Sequence, residues 1–161
     1  MEQIKKLFVT ILEEELDQLN YEVPNINAGG CGFMAYLLAD KADEWGIPYK
    51  ITLMGYDSDK PMMSDFEANI EMDKGCGYRI PRCHIAIELN GMMYDTEGSY
   101  EDHWAWEKKG HISKKTLLRT LEECGWNESF NPKDTFRLEH LVDKLFTSKM
   151  SPVYYGMPVA A

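Results

Sequence analysis

The chain has 161 residues, 44% of them hydrophobic, and 27 acidic against 17 basic side chains leave a formal net charge of −10. That length suits a single domain over 1–161 with a core large enough to need no metal or disulfide staple. No stretch approaches the roughly 18 uninterrupted apolar residues of a membrane span. The lysines and arginines are scattered, without a basic stripe interleaved with aromatics, so neither a membrane nor a nucleic-acid partner is expected.

Residues 3–20 repeat apolar side chains at helical spacing: Ile4, Leu7, Phe8, Ile11, Leu12, Leu16 and Leu19. Acidic residues follow the short apolar stretch at once, so it reads as an amphipathic helix and not as a signal peptide. YEVPNINAGG then breaks the pattern. From Cys31 the series Met34, Leu37, Leu38, Ala42, Trp45 marks one face of a second helix, with Gly46 as a left-handed stop and Pro48 beyond it. YKITLMG (49–55) alternates and predicts a strand. Residues 56–82 are polar and acidic, a long connection with a short helix within 62–72.

CHIAIEL (83–89), Asn90-Gly91 and MMYDTEG (92–98) predict a β-hairpin with a two-residue turn. SYEDHWAWEKKGH reads as irregular and aromatic. Ser113 is placed to cap a helix carrying Leu117, Leu118 and Leu121 and ended by Gly125. After Asn131-Pro132, Asp134 opens a last helix through Phe146, with Leu138, Leu141, Val142 and Leu145 inward. The tail from Ser151 reads as a docked or loose extension. This order predicts an α+β fold, with a core at about 25–98 and a helical C-terminal part at 113–148.

Cys31 stands where glycines give way to helix. A helix N-terminus offers free N–H groups and a partial positive charge, which favour a thiolate and can receive an oxyanion. Gly29, Gly30 and Gly32 would let a substrate backbone come close. A buried cysteine acting as a small hydrophobe explains the same residues.

A thiolate nucleophile needs a proton carrier, and histidine suits neutral pH. If Asn90-Gly91 is the turn, opposed residues sum to 181, so Ala86 faces Asp95 and His84 faces Glu97. All four then project from one face of the hairpin, with Asp95 diagonal to His84 and able to orient its ring. Glu97 is the competing orienter. A structural histidine and a strand-ending aspartate are the plainer readings of each residue alone; the ordered set Cys31, His84, Asp95 favours catalysis.

"GGCGFMAYLLADKADEWGI" followed by "CHIAIELNGMMYDTEG" resembles the core of papain-like cysteine enzymes in the wide sense, and within them it is most similar to the transglutaminase-like branch. The resemblance covers about residues 25–98. It implies a helix that starts at the nucleophile and packs on a small antiparallel sheet, with Cys31, His84 and Asp95 as the catalytic triad and Tyr94 as the aromatic before the aspartate. It also implies an oxyanion-holding amide upstream, for which Asn25, at a spacing of six, and Asn27 are the candidates beside the Cys31 N–H. Ala86 stands where the family's pattern has tryptophan.

Cys76, Cys83, His84 and His103 lack the close paired spacing of structural zinc, so no metal is expected, and no nucleotide loop or other cofactor motif is present. Trp104 and its neighbours either line a substrate cleft or close the core. Four cysteines without an export signal suggest free thiols and a cytoplasmic location. The expectation is therefore a cysteine-dependent acyl-transfer enzyme acting on an amide, peptide or isopeptide bond of a protein or peptide substrate. The alternative is a non-catalytic protein-binding module of the same fold, contacting its partner through the acidic surface and residues 103–106.

Overall fold

The computed structural model of the chain describes residues 2–26, 30–56, 64–75, 84–101, 107–124 and 131–149. The first amphipathic segment forms α1 (Glu2–Glu14), a 3-10 turn (Leu16–Gln18) and a short α2 (Leu19–Glu22), where the apolar period alone predicts one helix over 3–20. The tighter turn brings both Leu16 and Leu19 into the core. The second helix, α3 (Cys31–Trp45), has the expected ends. Gly30 is its N-cap, and Gly46 stops it in the left-handed region at φ 68°, with the Ile47 N–H returning to the Ala42 carbonyl at 2.8 Å.

The strand β1 (Lys50–Gly55) leads to α4 (Asp65–Asp73), capped by Ser64, whose hydroxyl accepts from the Glu67 N–H. Asn90 at φ 51° and Gly91 at φ 84° make the tight turn between β2 (His84–Leu89) and β3 (Met92–Asp95). The second arm is shorter than predicted. It ends at Asp95, turns through Thr96-Glu97, and runs back as β4 (Gly98–Tyr100). The segment read as irregular also contains β5 (Glu107–Ile112), whose sequence EKKGHI carries no apolar alternation. Ser113 caps α5 (Lys114–Glu123), as its position predicts. The last helix, α6 (Pro132–Lys149), starts two residues earlier than expected, because Asn131 accepts from the Lys133 N–H at 2.7 Å and Pro132 fits the first helical position.

The five strands form one antiparallel sheet in the order β4-β3-β2-β1-β5. Ile51, Leu53, Ile85, Ile87, Leu89, Tyr94 and Ile112 lie on one face and pack into the helices, with α3 central to both main clusters. The opposite face carries Thr52, Met54, His84, Ala86, Glu88, Met93 and Asp95, all buried as well. This is the face that holds the polar chemistry. The architecture is α+β.

Among the described residues, no helix is long and apolar enough to cross a membrane. Cys31 is a free thiol, but Cys124 is disulfide-bonded. The expectation of four free thiols is thereby corrected. A cytoplasmic location inferred from free thiols loses that support, since disulfides persist in oxidising surroundings.

Candidate functional site: a cysteine, a histidine and an aspartate at the mouth of a helix

Cys31 is the first residue of α3 and is only partly buried. No side chain caps the helix, whose first intrahelical bond runs from the Met34 N–H to the Gly30 carbonyl at 2.9 Å. The N–H groups of Cys31, Gly32 and Phe33 therefore stand ahead of the helical ladder. Gly32 allows this end of the helix to sit close to the sheet. A Cβ there would lie 3.1 Å from Leu121 Cδ2 and 3.3 Å from Ile85 Cδ1, and Ile85 follows His84 directly.

The β2–β3 pairing runs Ile87↔Tyr94, Glu88↔Met93, Leu89↔Met92. These partners sum to 181, and the same register carries Asp95 to the level of Ala86, diagonal to His84. Across that diagonal, His84 Nε2 and Asp95 Oδ2 are 2.5 Å apart, both groups almost fully buried. The Cys31 side chain lies near enough to act on the same ring, and its influence raises the His84 pKa. The three residues singled out in the sequence meet at one point. Asp95, not Glu97, contacts the ring; Glu97 contributes its backbone N–H, which donates to Asp95 Oδ1 at 2.7 Å.

Tyr100 completes the surroundings of the carboxylate and has no counterpart in the sequence reading. Its hydroxyl donates to Asp95 Oδ2 at 2.8 Å. A visible signal existed, because a turn at Thr96-Glu97 pairs Tyr100 with Met93 on the Asp95 face; reading the second hairpin arm through residue 98 concealed it. The turn is held from outside by Asn20 of α2, whose Nδ2 donates to the Thr96 carbonyl at 2.7 Å while its Oδ1 accepts from the Thr96 hydroxyl at 2.9 Å.

Electrostatics follow from this packing. Burial pulls His84 toward the neutral form, but the hydrogen bonds to Asp95 and Cys31 and the charges beside the ring outweigh it and hold its pKa up at about 9. Burial likewise pushes the Asp95 carboxyl up. The bond and charge of His84, the Glu97 N–H and the Tyr100 hydroxyl win, and hold it below the ordinary carboxylate range. Burial and the Asp95 charge drive the Tyr100 phenol well above its usual value, which keeps it a donor. A pKa held above neutrality favours the imidazolium form of the ring beside the Asp95 carboxylate.

A second polar cluster lies on the same face. Glu88, 6% exposed, accepts from the Thr52 hydroxyl at 2.8 Å and pairs with Lys108 Nζ at 3.0 Å and His111 Nε2 at 3.3 Å. Residues 108 and 111 would point to opposite faces of a regular strand. The register shift between β1 and β5 inserts one extra residue after Lys108 and turns both toward Glu88. Burial raises the Glu88 carboxyl, and the bonds from Thr52, Lys108 and His111 overcome that and hold it low.

Of the remaining sequence candidates, Gly30 is buried and its N–H donates to the Asn25 carbonyl at 3.3 Å. Asn25 itself is exposed in the left-handed region at φ 64°. Asn27 and Trp104 lie outside the described residues, as do Cys76, Cys83 and His103. Among the described residues, no group of three or more His, Cys, Asp or Glu side chains is placed to hold a metal ion. No family model, curated protein or solved structure matches the chain. The reading of the site rests on its own geometry.

Proposed function

We propose that the protein is a cysteine-dependent acyl-transfer enzyme with Cys31 as nucleophile, His84 as proton carrier and Asp95 as the group that orients and charges the ring. The observation that supports this most is the buried His84–Asp95 pair at 2.5 Å, with the partly exposed Cys31 at the start of α3 acting on the same ring. A purely structural buried histidine needs no partly exposed cysteine at a helix mouth beside it.

In the proposed reaction the Cys31 sulfur attacks the carbonyl carbon of an amide. The new S–C bond pushes the C=O pair onto oxygen, where the Cys31 N–H at the helix start would receive it, with Asn25 or Asn27 as further donor. His84 delivers its proton to the leaving nitrogen as the C–N bond breaks, leaving a thioester. Water or an amine then attacks; His84 takes its proton, and the C–S bond breaks to return the Cys31 thiolate beside the imidazolium, the state from which the sulfur first attacked. Asp95 keeps the ring in the orientation that both steps need. The helix-on-sheet setting with this order of residues supports membership of the papain-like group, on its transglutaminase-like side.

The test is alkylation of the native protein by iodoacetamide between pH 5 and 10, followed by peptide mapping. Cys31 is expected to label in the folded state, with a rate that depends on His84, and His84→Ala should slow it. Labelling of Cys31 only after unfolding would defeat the proposal. Incorporation of a fluorescent primary amine into a glutamine-containing polypeptide would reveal transfer, and ammonia release without incorporation would reveal hydrolysis. Cys31→Ala and His84→Ala should each lose nearly all of either activity.

A further inference from the structure

We propose that Tyr100 is a positioning residue that fixes the Asp95 carboxylate and limits how much of its charge reaches His84. Two donors share one carboxylate oxygen: His84 Nε2 at 2.5 Å and the Tyr100 hydroxyl at 2.8 Å, both on Asp95 Oδ2. The other oxygen is occupied by the Glu97 N–H. Asp95 is therefore held against rotation from two strands and a turn, and the charge that Tyr100 draws from Oδ2 is charge withheld from the ring. Its place is built into the sheet. The Asp95↔Gly98 and Met93↔Tyr100 pairs, with Gly98 at φ 132°, return β4 so that the phenol lies diagonal to Asp95 on the buried polar face.

Among the described residues, Cys31 from α3 acts on the ring, Tyr100 from β4 and the Glu97 N–H from the turn act on the carboxylate, and the Glu97 charge acts on the phenol; β1 contributes the apolar Met54 opposite His84. Glu97 and Cys31 both add to the field that keeps the Tyr100 proton in place. The phenol stays a donor across the range in which His84 titrates.

A sign follows. Removing the hydroxyl returns charge to Oδ2 and strengthens the imidazolium, whereas neutralising the carboxylate weakens it. In histidine-labelled protein followed by NMR, with the His84 signal assigned by its loss in His84→Gln, Tyr100→Phe should move the His84 midpoint upward. The expected shift is about half a pH unit, a factor of about 3 in the imidazolium–imidazole ratio. Asp95→Asn should move it downward. Replacing Tyr100 by 3-fluorotyrosine, a stronger donor of the same shape, should move it down from the wild-type position. This reads the effect even if the phenylalanine variant folds poorly.

An unmoved midpoint in both Tyr100 variants would overturn the proposal, as would a downward shift in Tyr100→Phe. The consequence for turnover, a lower kcat at unchanged KM, rests on the acyl-transfer reading; the titration does not. A chemically inert Cys31 combined with the expected shifts would defeat that reading and leave this one standing.

Discussion

At the scale of single residues, the protein stakes much on one buried imidazolium. The sign of its contribution to stability can be worked out. His84 titrates at about 9 in the folded chain, against about 6.5 for an ordinary histidine, so its stabilising effect is complete below about pH 6.5 and is lost as pH rises through about 9. Asp95 acts in the other direction. Its folded pKa is depressed, so its contribution is present above the ordinary carboxyl range and disappears as pH falls through the lower folded value. Calorimetric melting of the wild type should therefore show Tm declining from pH 6.5 to 9.5. The His84→Gln protein should lack that decline, and parallel curves for the two would show that His84 is not the titrating group. Glu88, unlike His84 and Asp95, was not legible as a site in the sequence. A glutamate within an alternating strand reads as a solvent-facing residue, and only burial with Thr52, Lys108 and His111 distinguishes it.

Among the elements, the meeting of α3 with β2 decides whether the sulfur reaches the ring. Gly32 marks a close approach between them. In Gly32→Ala, the new methyl meets Leu121 and Ile85 closer than ordinary contact allows, while the helix gains about 1 kcal/mol of intrinsic propensity. The two effects act on different observables. Tm should change little, whereas the alkylation rate of Cys31 should fall as the helix mouth shifts by a few tenths of an ångström. The Asn20–Thr96 clamp gives a complementary case. Asn20→Ala removes two hydrogen bonds from the turn that carries Asp95, and each such bond contributes about 1 kcal/mol. A loss of about 2 kcal/mol in urea unfolding is expected, together with a lower rate at Cys31. Unchanged stability would mean that the turn is held by other contacts.

Over the whole molecule, one end of α3 carries the candidate chemistry and the other anchors the fold. Trp45 packs edge to face on Phe8 and Phe146, which meet each other tilted, with centroids 5.2–5.7 Å apart, joining α1, α3 and α6. Cys31 and Trp45 are separated by 14 helical steps, about 20 Å at 1.5 Å per residue. Phe146→Ala should cost about 3–5 kcal/mol, lowering the urea midpoint at unchanged m, yet leave Cys31 alkylation near the wild-type rate in the folded protein. A proportionate loss of both would show that the anchor and the site are coupled through the helix.

What the chain determined locally is now plain. Helix α3 from Cys31 with its stop at Gly46, the hairpin turn at Asn90-Gly91 and the cap at Ser113 each depend on a few neighbouring residues, and sequence reports them because periodicity and turn chemistry act over short spans. The register that sets His84 diagonal to Asp95 follows from the turn alone. Strand β5, the bulge that gathers Lys108 and His111 on Glu88 and the disulfide at Cys124 were decided only by the tertiary structure. EKKGHI becomes a strand because β1 offers it an edge, and Tyr100 reaches Asp95 because a turn at Thr96-Glu97 folds the chain back. The β1–β5 pairing is made between distant segments, and no local pattern of apolar and polar residues encodes which edge a segment will meet.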